Sequence, residues 1–148
     1  MSNFLTLFDL IGELARRRYQ AGERYFATLG LNHTEARLLT LLRQEDGVAA
    51  QDALSNGLSV DRTNAGRALQ RLEQDGYILR RTDDADKRAK FVQFTPKGRK
   101  AAVEISRLRK KMAQGFFGDL REDEAGTMVE LLRRALPNGE MGARLFRK

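Results

Sequence analysis

The chain contains no cysteine, a single histidine and two prolines in 148 residues. Without cysteine there are no disulfides, no thiolate metal sites and no thiol-based redox sensor within this sequence. His33 alone cannot build a histidine metal cluster, so neither a metal nor a cofactor is expected. No apolar run approaches the roughly 18 consecutive residues that a membrane span needs, so no membrane partner is expected. The N-terminal stretch is apolar early, but Asp9 and Glu13 interrupt it and no positive segment precedes it. It does not read as a secretory signal, and the expected address is the cytoplasm. Catalytic signatures are also missing. There is no Ser-x-x-Lys, no His-Glu-x-x-His and no phosphate-cradling glycine loop ending in Gly-Lys-Ser/Thr. An enzyme is not expected.

What is present is charge, and it is unevenly spread. The formal net charge is +7, and the composition, 41% apolar and 32% charged, is that of a globular chain of about one domain. Between residues 60 and 100 eleven Lys/Arg face six Asp/Glu, leaving +5 of the +7 in that stretch. A basic segment points to a polyanion, but sign alone does not choose between nucleic acid and anionic lipid.

Periodicity narrows the choice. Phe4, Leu7, Phe8, Ile11, Leu14 and Ala15 recur at helical spacing and predict a long amphipathic helix to about Ala27, ended by Gly30. Asn32 and Glu35 form the two halves of a capping box for a second helix, which Gly47 stops. A short, poorly capped helix is expected near 50–56. Asp61 is a suitable N-cap for the next, from Arg62 to Gln74, whose Ala65, Ala68, Leu69 and Leu72 share one face. Two helices joined by Gly57-Leu58-Ser59-Val60 make a helix-turn-helix. After Gly76 the period shortens, and residues 77–81 and 91–94 predict two strands around the polar loop 83–90, a wing. Thr95-Pro96 then opens a long helix to about Phe117, and a last helix covers about 122–136.

In a helix-turn-helix the start of the second helix lies nearest the base edges. Arg62 and Arg67 can each grip guanine with two donors, and Asn64 can do so for adenine. Thr63 and Ser59 suit phosphate oxygens. At the wing tip Arg88 can enter a narrow minor groove, with Lys87 and Lys90 on phosphates and Asp86 pairing with Arg88 to hold its direction. The bland alternative for each is a solvated polar surface. The expected partner is double-stranded DNA, read in sequence-specific fashion, with a non-specific architectural DNA binder as the alternative.

Residues 52–98 also resemble the winged helix of the MarR family of bacterial regulators. The resemblance is most specific at Asp86-Lys87-Arg88 followed by Phe91-Val92-Gln93-Phe94-Thr95-Pro96-Lys97-Gly98, similar to that family's wing signature. Leu72-Glu73-Gln74-Asp75-Gly76-Tyr77-Ile78 is similar to its helix-to-strand step. Ala53, Ser55 and Phe94 depart from the usual glutamate, alanine and leucine. The resemblance implies a mainly α fold with a small β-hairpin wing, as a single MarR-like domain over 1–148. Within it a winged helix-turn-helix lobe at 32–95 lies between dimerisation helices at 1–30 and 96–148. It further implies a homodimer and repression of nearby genes, often relieved by a small aromatic or anionic effector. In the resembled family effectors bind at the junction between the dimer helices and the DNA-binding lobe, which here implicates Tyr19, Tyr25, Phe26, His33 and Arg37. For His33 and the aromatics, ordinary packing is the competing expectation.

Overall fold

A computed structural model describes residues 2–58 and 62–136, with backbone alone at 62 and 63. Ser59, the Val60 part of the turn, the Asp61 cap and the tail from Pro137 onward lie outside the described residues. The chain divides into two compact units, Met1–Met112 and Ala113–Lys148.

The first unit opens with α1 (Asn3–Ala27), whose start is capped by the Ser2 side chain accepting from the Phe4 amide. Gly30, at φ +73°, turns the chain out of α1, while Leu31 N–H donates to Phe26 O and Gly30 N–H to Ala27 O. These paired bonds satisfy carbonyls that a helix end otherwise leaves open. α2 (His33–Gln44) begins with the capping box expected of its sequence. Asn32 Oδ1 accepts from Glu35 N–H and Glu35 Oε1 accepts from Asn32 N–H, both at 2.8 Å. α3 (Gln51–Gly57) starts at Ala50 with no side-chain cap, as its sequence predicts. α4 (Arg62–Gln74) follows.

The sheet has one strand more than the periodicity predicts. β1 (Val48–Ala50), β2 (Ile78–Thr82) and β3 (Lys90–Phe94) form an antiparallel sheet in the order β1-β3-β2. β3 sits centrally, pairing Ala49 with Val92 on one side and Arg80 with Val92 on the other. Three residues, two of them alanine, carry too little alternation to read as a strand. β1 exists because it offers its edge to a strand more than forty residues away, and Phe94 N–H extends that edge by donating to Gly47 O.

The core of this unit joins α2 (Leu38, Leu39, Leu42), α4 (Ala65, Ala68, Leu69, Leu72), the sheet (Ile78, Val92, Phe94) and the helix that follows it (Ala102, Ile105, Leu108). α5 (Pro96–Phe116) is capped by Thr95, whose Oγ1 accepts from Gly98 N–H at 3.0 Å. The same hydroxyl donates to Gly76 O at 2.5 Å, Thr95 N–H donates to Tyr77 O, and Lys97 Nζ donates to Asp75 O at 2.7 Å. The end of α4 and the start of α5 are therefore one joint. Gly76 sits there at φ +82°, and a Cβ on Gly98 would land on the Tyr77 carbonyl. Thus two segments that carry the sequence resemblance, at 72–78 and 95–98, are the two halves of one packing contact.

The second unit holds α6 (Glu122–Ala135), with Glu122, Asp123 and Glu124 in its first turn and Arg133 and Arg134 in its last, signs that complement the helix dipole. None of its residues is buried. Among the described residues, no helix is long and apolar enough to cross a membrane.

Candidate nucleic-acid interface

α4 has two unlike faces. Ala65, Ala68, Leu69 and Leu72 are 1–4% exposed and anchor it in the core. Asn64, Arg67, Gln70, Arg71 and Gln74 lie in solvent. Burying the apolar stripe thus presents the polar side chains outward, Arg67 and Asn64 among them. The Arg62 and Thr63 side chains lie outside the description, although the backbone puts both in the first turn of α4.

The wing is a short β-hairpin whose tip is closed by its own aspartates. Asp83 Oδ1 accepts from Ala85 N–H, Asp86 Oδ1 accepts from Arg88 N–H, each at 3.0 Å, and Asp83 N–H donates to Ala89 O at 2.9 Å. This corrects one expectation. Asp86 acts through the Arg88 backbone in an Asx turn, in place of the guanidinium pairing read from the sequence. An aspartate two residues before an N–H it can reach makes that turn in preference to holding a long, mobile side chain. Asp83 likewise builds a turn. Lys87, Arg88 and Lys90 are exposed.

Wing and helix are tied between the middle of β2 and the last turn of α4. Arg80, on β2, places Nη2 3.0 Å and Nε 3.3 Å from Glu73 Oε1, and its backbone N–H donates to Glu73 Oε2 at 3.2 Å. Arg80 holds the Glu73 carboxyl below its ordinary range, and Lys90 adds to the effect. At the other end of α4's contacts, Arg71 lies 3.7 Å from Glu35, a carboxylate 1% exposed at the start of α2. Sequence periodicity shows neither link, because both join residues that no local pattern relates.

The residues expected near an effector are partly assembled. The Tyr19 ring centroid lies 4.9 Å from that of His33, and Phe26 lies 6.5 Å away. His33 packs so closely on Gly22 that a Cβ there would strike the imidazole, and its backbone N–H donates to Glu23 Oε1. Phe26 is fully buried and Tyr25 packs against the core, so both serve the fold. Arg37 is half-buried and donates to Gly57 O at 3.4 Å. Burial lowers its pKa, and the charges of Arg18 and Arg109 push in the same direction. These two arginines, from α1 and α5, join the group although nothing in the sequence marks them. Among the described residues no group of acidic or histidine side chains could hold a metal ion.

The MarR family model matches residues 31–90, from the cap of α2 to the end of the wing loop. A protein of Thauera aromatica assigned to transcriptional regulation of the hcr operon is 31% identical over 134 residues, covering 85% of this chain and 80% of that one. Among solved structures, a mutant MarR of Escherichia coli complexed with operator DNA is similar with a TM-score of 0.78 at 25% identity. The match spans 90% of this chain and 96% of that one. The Bordetella bronchiseptica BpsR structure, which concerns regulation of DNA binding by 6-hydroxynicotinic acid, is 26% identical with a TM-score of 0.70, over 85% and 98% of the two chains. Its relatives are regulators and not enzymes, and the chain belongs to the MarR family of transcription regulators.

Proposed function

We propose that the protein binds a near-palindromic operator as a homodimer, represses the genes beside it and releases it on binding a small aromatic or anionic effector. The observation that carries the DNA reading is the split character of α4. Its apolar stripe is wholly consumed by the core, which leaves Asn64, Arg67 and neighbouring polar side chains facing outward, while the hairpin loop exposes Lys87, Arg88 and Lys90. Arg62, Asn64 and Arg67 read base edges, Ser59 and Thr63 meet phosphates, and Arg88 enters the minor groove with Lys87 and Lys90 on the backbone. Two such helices from a twofold dimer meet successive major grooves about 10 base pairs apart.

The dimer reading is supported by apolar surface. Phe4 is 85% and Phe8 77% exposed on α1, and Met128, Val129, Leu131 and Leu132 are exposed on α6. Clusters of this kind mark an interaction surface, here a second copy of the chain. Helices 1–30 and 96–148 thus serve dimerisation, and 32–95 serves DNA. The effector reading is supported by the Tyr19–His33 ring contact and by the positive field of Arg18 and Arg109 at Arg37, which suits an aromatic anion. The cytoplasm, where the DNA is, is the corresponding location.

Selection of duplexes from a random pool, followed by competition with bulk genomic DNA, tests this reading. A regulator holds its selected duplex against a large excess, whereas an architectural protein is stripped from it. Arg62→Ala and Arg67→Ala are expected to relax preference at particular bases by about tenfold each, and Lys90→Ala to weaken selected and scrambled duplexes alike. Equal losses on both duplexes for all three variants would refute the assignment of base readers. Repeating the competition with a panel of aromatic carboxylates tests the effector, which should lower affinity for the selected duplex.

A further inference from the structure

The link between Glu73 and Arg80 does more than join two neighbours in the fold. Among the described residues β2 is an edge strand, paired with β3 alone, so its outer edge needs a partner. Glu73 supplies one. One carboxylate oxygen takes the Arg80 amide and the other takes the Arg80 guanidinium, so a single side chain of α4 holds both backbone and side chain of the wing strand. The pair is partly shielded, with Arg80 24% and Glu73 37% exposed at the side chain. Three charge-assisted bonds onto one carboxylate define direction as well as distance. Lys90, on the strand across the hairpin, adds its charge to the hold on Glu73.

Position along the wing makes this matter. The clamp lies at the middle of β2, where Arg80 faces Val92, and Arg88 lies in the loop beyond the strand's end. With about 3.3 Å of rise per strand residue, Arg88 is roughly 13 Å further along the hairpin. A tilt of about 10° at the clamp therefore moves Arg88 by roughly 2 Å, beyond the tolerance of a hydrogen bond. We propose that Glu73 and Arg80 are a positioning pair for DNA recognition, setting the wing against α4 so that Arg88 and the α4 side chains engage one duplex together. Neither touches DNA in this role. The inference rests on the DNA reading above and adds to it the pair that couples its two contact surfaces.

A double-mutant cycle on DNA affinity tests it, using a duplex enriched from a random pool by the wild-type protein and a scrambled control at fixed salt. In the wild-type background Arg88→Ala is expected to weaken the enriched duplex by about tenfold, the size of one charge-assisted contact. In a Glu73→Ala background the same substitution is expected to cost less than about twofold, because the wing tip already misses its groove. The conservative variant Glu73→Gln, whose side-chain oxygen can still accept from the Arg80 amide and guanidinium, is expected to recover most of the Arg88→Ala penalty, a rescue that general destabilisation does not produce. A Glu73→Ala protein that melts lower but keeps the full tenfold penalty overturns the positioning role. So does a wild-type protein whose enriched duplex is indifferent to Arg88→Ala. A wild-type protein that enriches no duplex is a different failure, of the DNA reading itself.

Discussion

α4 and α6 are helices of nearly equal length, 13 and 14 residues, each with an apolar stripe at helical spacing. Their fates differ completely. Four apolar residues of α4 are 1–4% exposed, whereas in α6 Met128, Val129, Leu131 and Leu132 remain 37–53% exposed. A stripe of this kind records that a helix needs a partner. It says nothing about whether that partner belongs to the same chain. α4 satisfies its stripe internally, against α2, α3 and the sheet, and so frees its polar face for another molecule. In α6 the stripe stays exposed, and the dimer reading assigns it to a second copy.

Two substitutions break the comparison and a third probes an ion pair on α1, the largest effect first. Leu72→Ala opens a cavity in a side chain 1% exposed and is expected to destabilise the first unit by about 2–5 kcal/mol, read by thermal or urea unfolding. Placing aspartate at Val129 and Leu132 together is expected to leave that unit's fold intact but to weaken self-association by about a hundredfold, roughly 3 kcal/mol. Sedimentation measures the shift. If the doubly substituted protein sediments as the wild type does, α6 carries no interface and the contrast with α4 loses its meaning.

The smallest effect concerns the exposed polar side of α1. Glu13 accepts from Arg16 at 2.5 Å and from Arg17 at 3.2 Å, and these bonds lower its pKa from 4.5 to about 2. A lowered carboxylate pKa means that the native state gains from ionisation. The contribution is therefore complete above about pH 4.5 and is lost as pH falls toward 2. Carboxyl-carbon NMR titration should find that midpoint in the wild type and a return toward the ordinary value in Arg16→Ala. An unshifted Glu13 in the wild type would show that solvent screens the pair fully.

Most elements of the fold were legible because the relevant physics is local. The capping box of Asn32 and Glu35, the positive-φ glycines at 30 and 76, and the Thr95-Pro96 opening of α5 are all set by neighbours within a few residues. β1 was not legible, since Val48–Ala50 becomes a strand only through the hydrogen bonds that β3 brings to it. Of the candidate DNA contacts, residue types and helix position were readable, but the Asp86 side chain bonds the Arg88 amide where a salt bridge was expected. The sequence suggests which charges attract, whereas the turn geometry decides which donor is nearest.

What the sequence by itself determined is the order of helices and hairpin, the face of each helix that seeks burial, and the concentration of positive charge between residues 60 and 100. These depend on periodicity, capping and composition, all of which act over one or two turns of chain. Tertiary structure alone decided the third strand, the Glu73–Arg80 clamp and the convergence of Arg18 and Arg109 on Arg37. Each of these joins residues whose separation along the chain carries no periodic signal. Their meeting is fixed by how the core packs and not by any local preference.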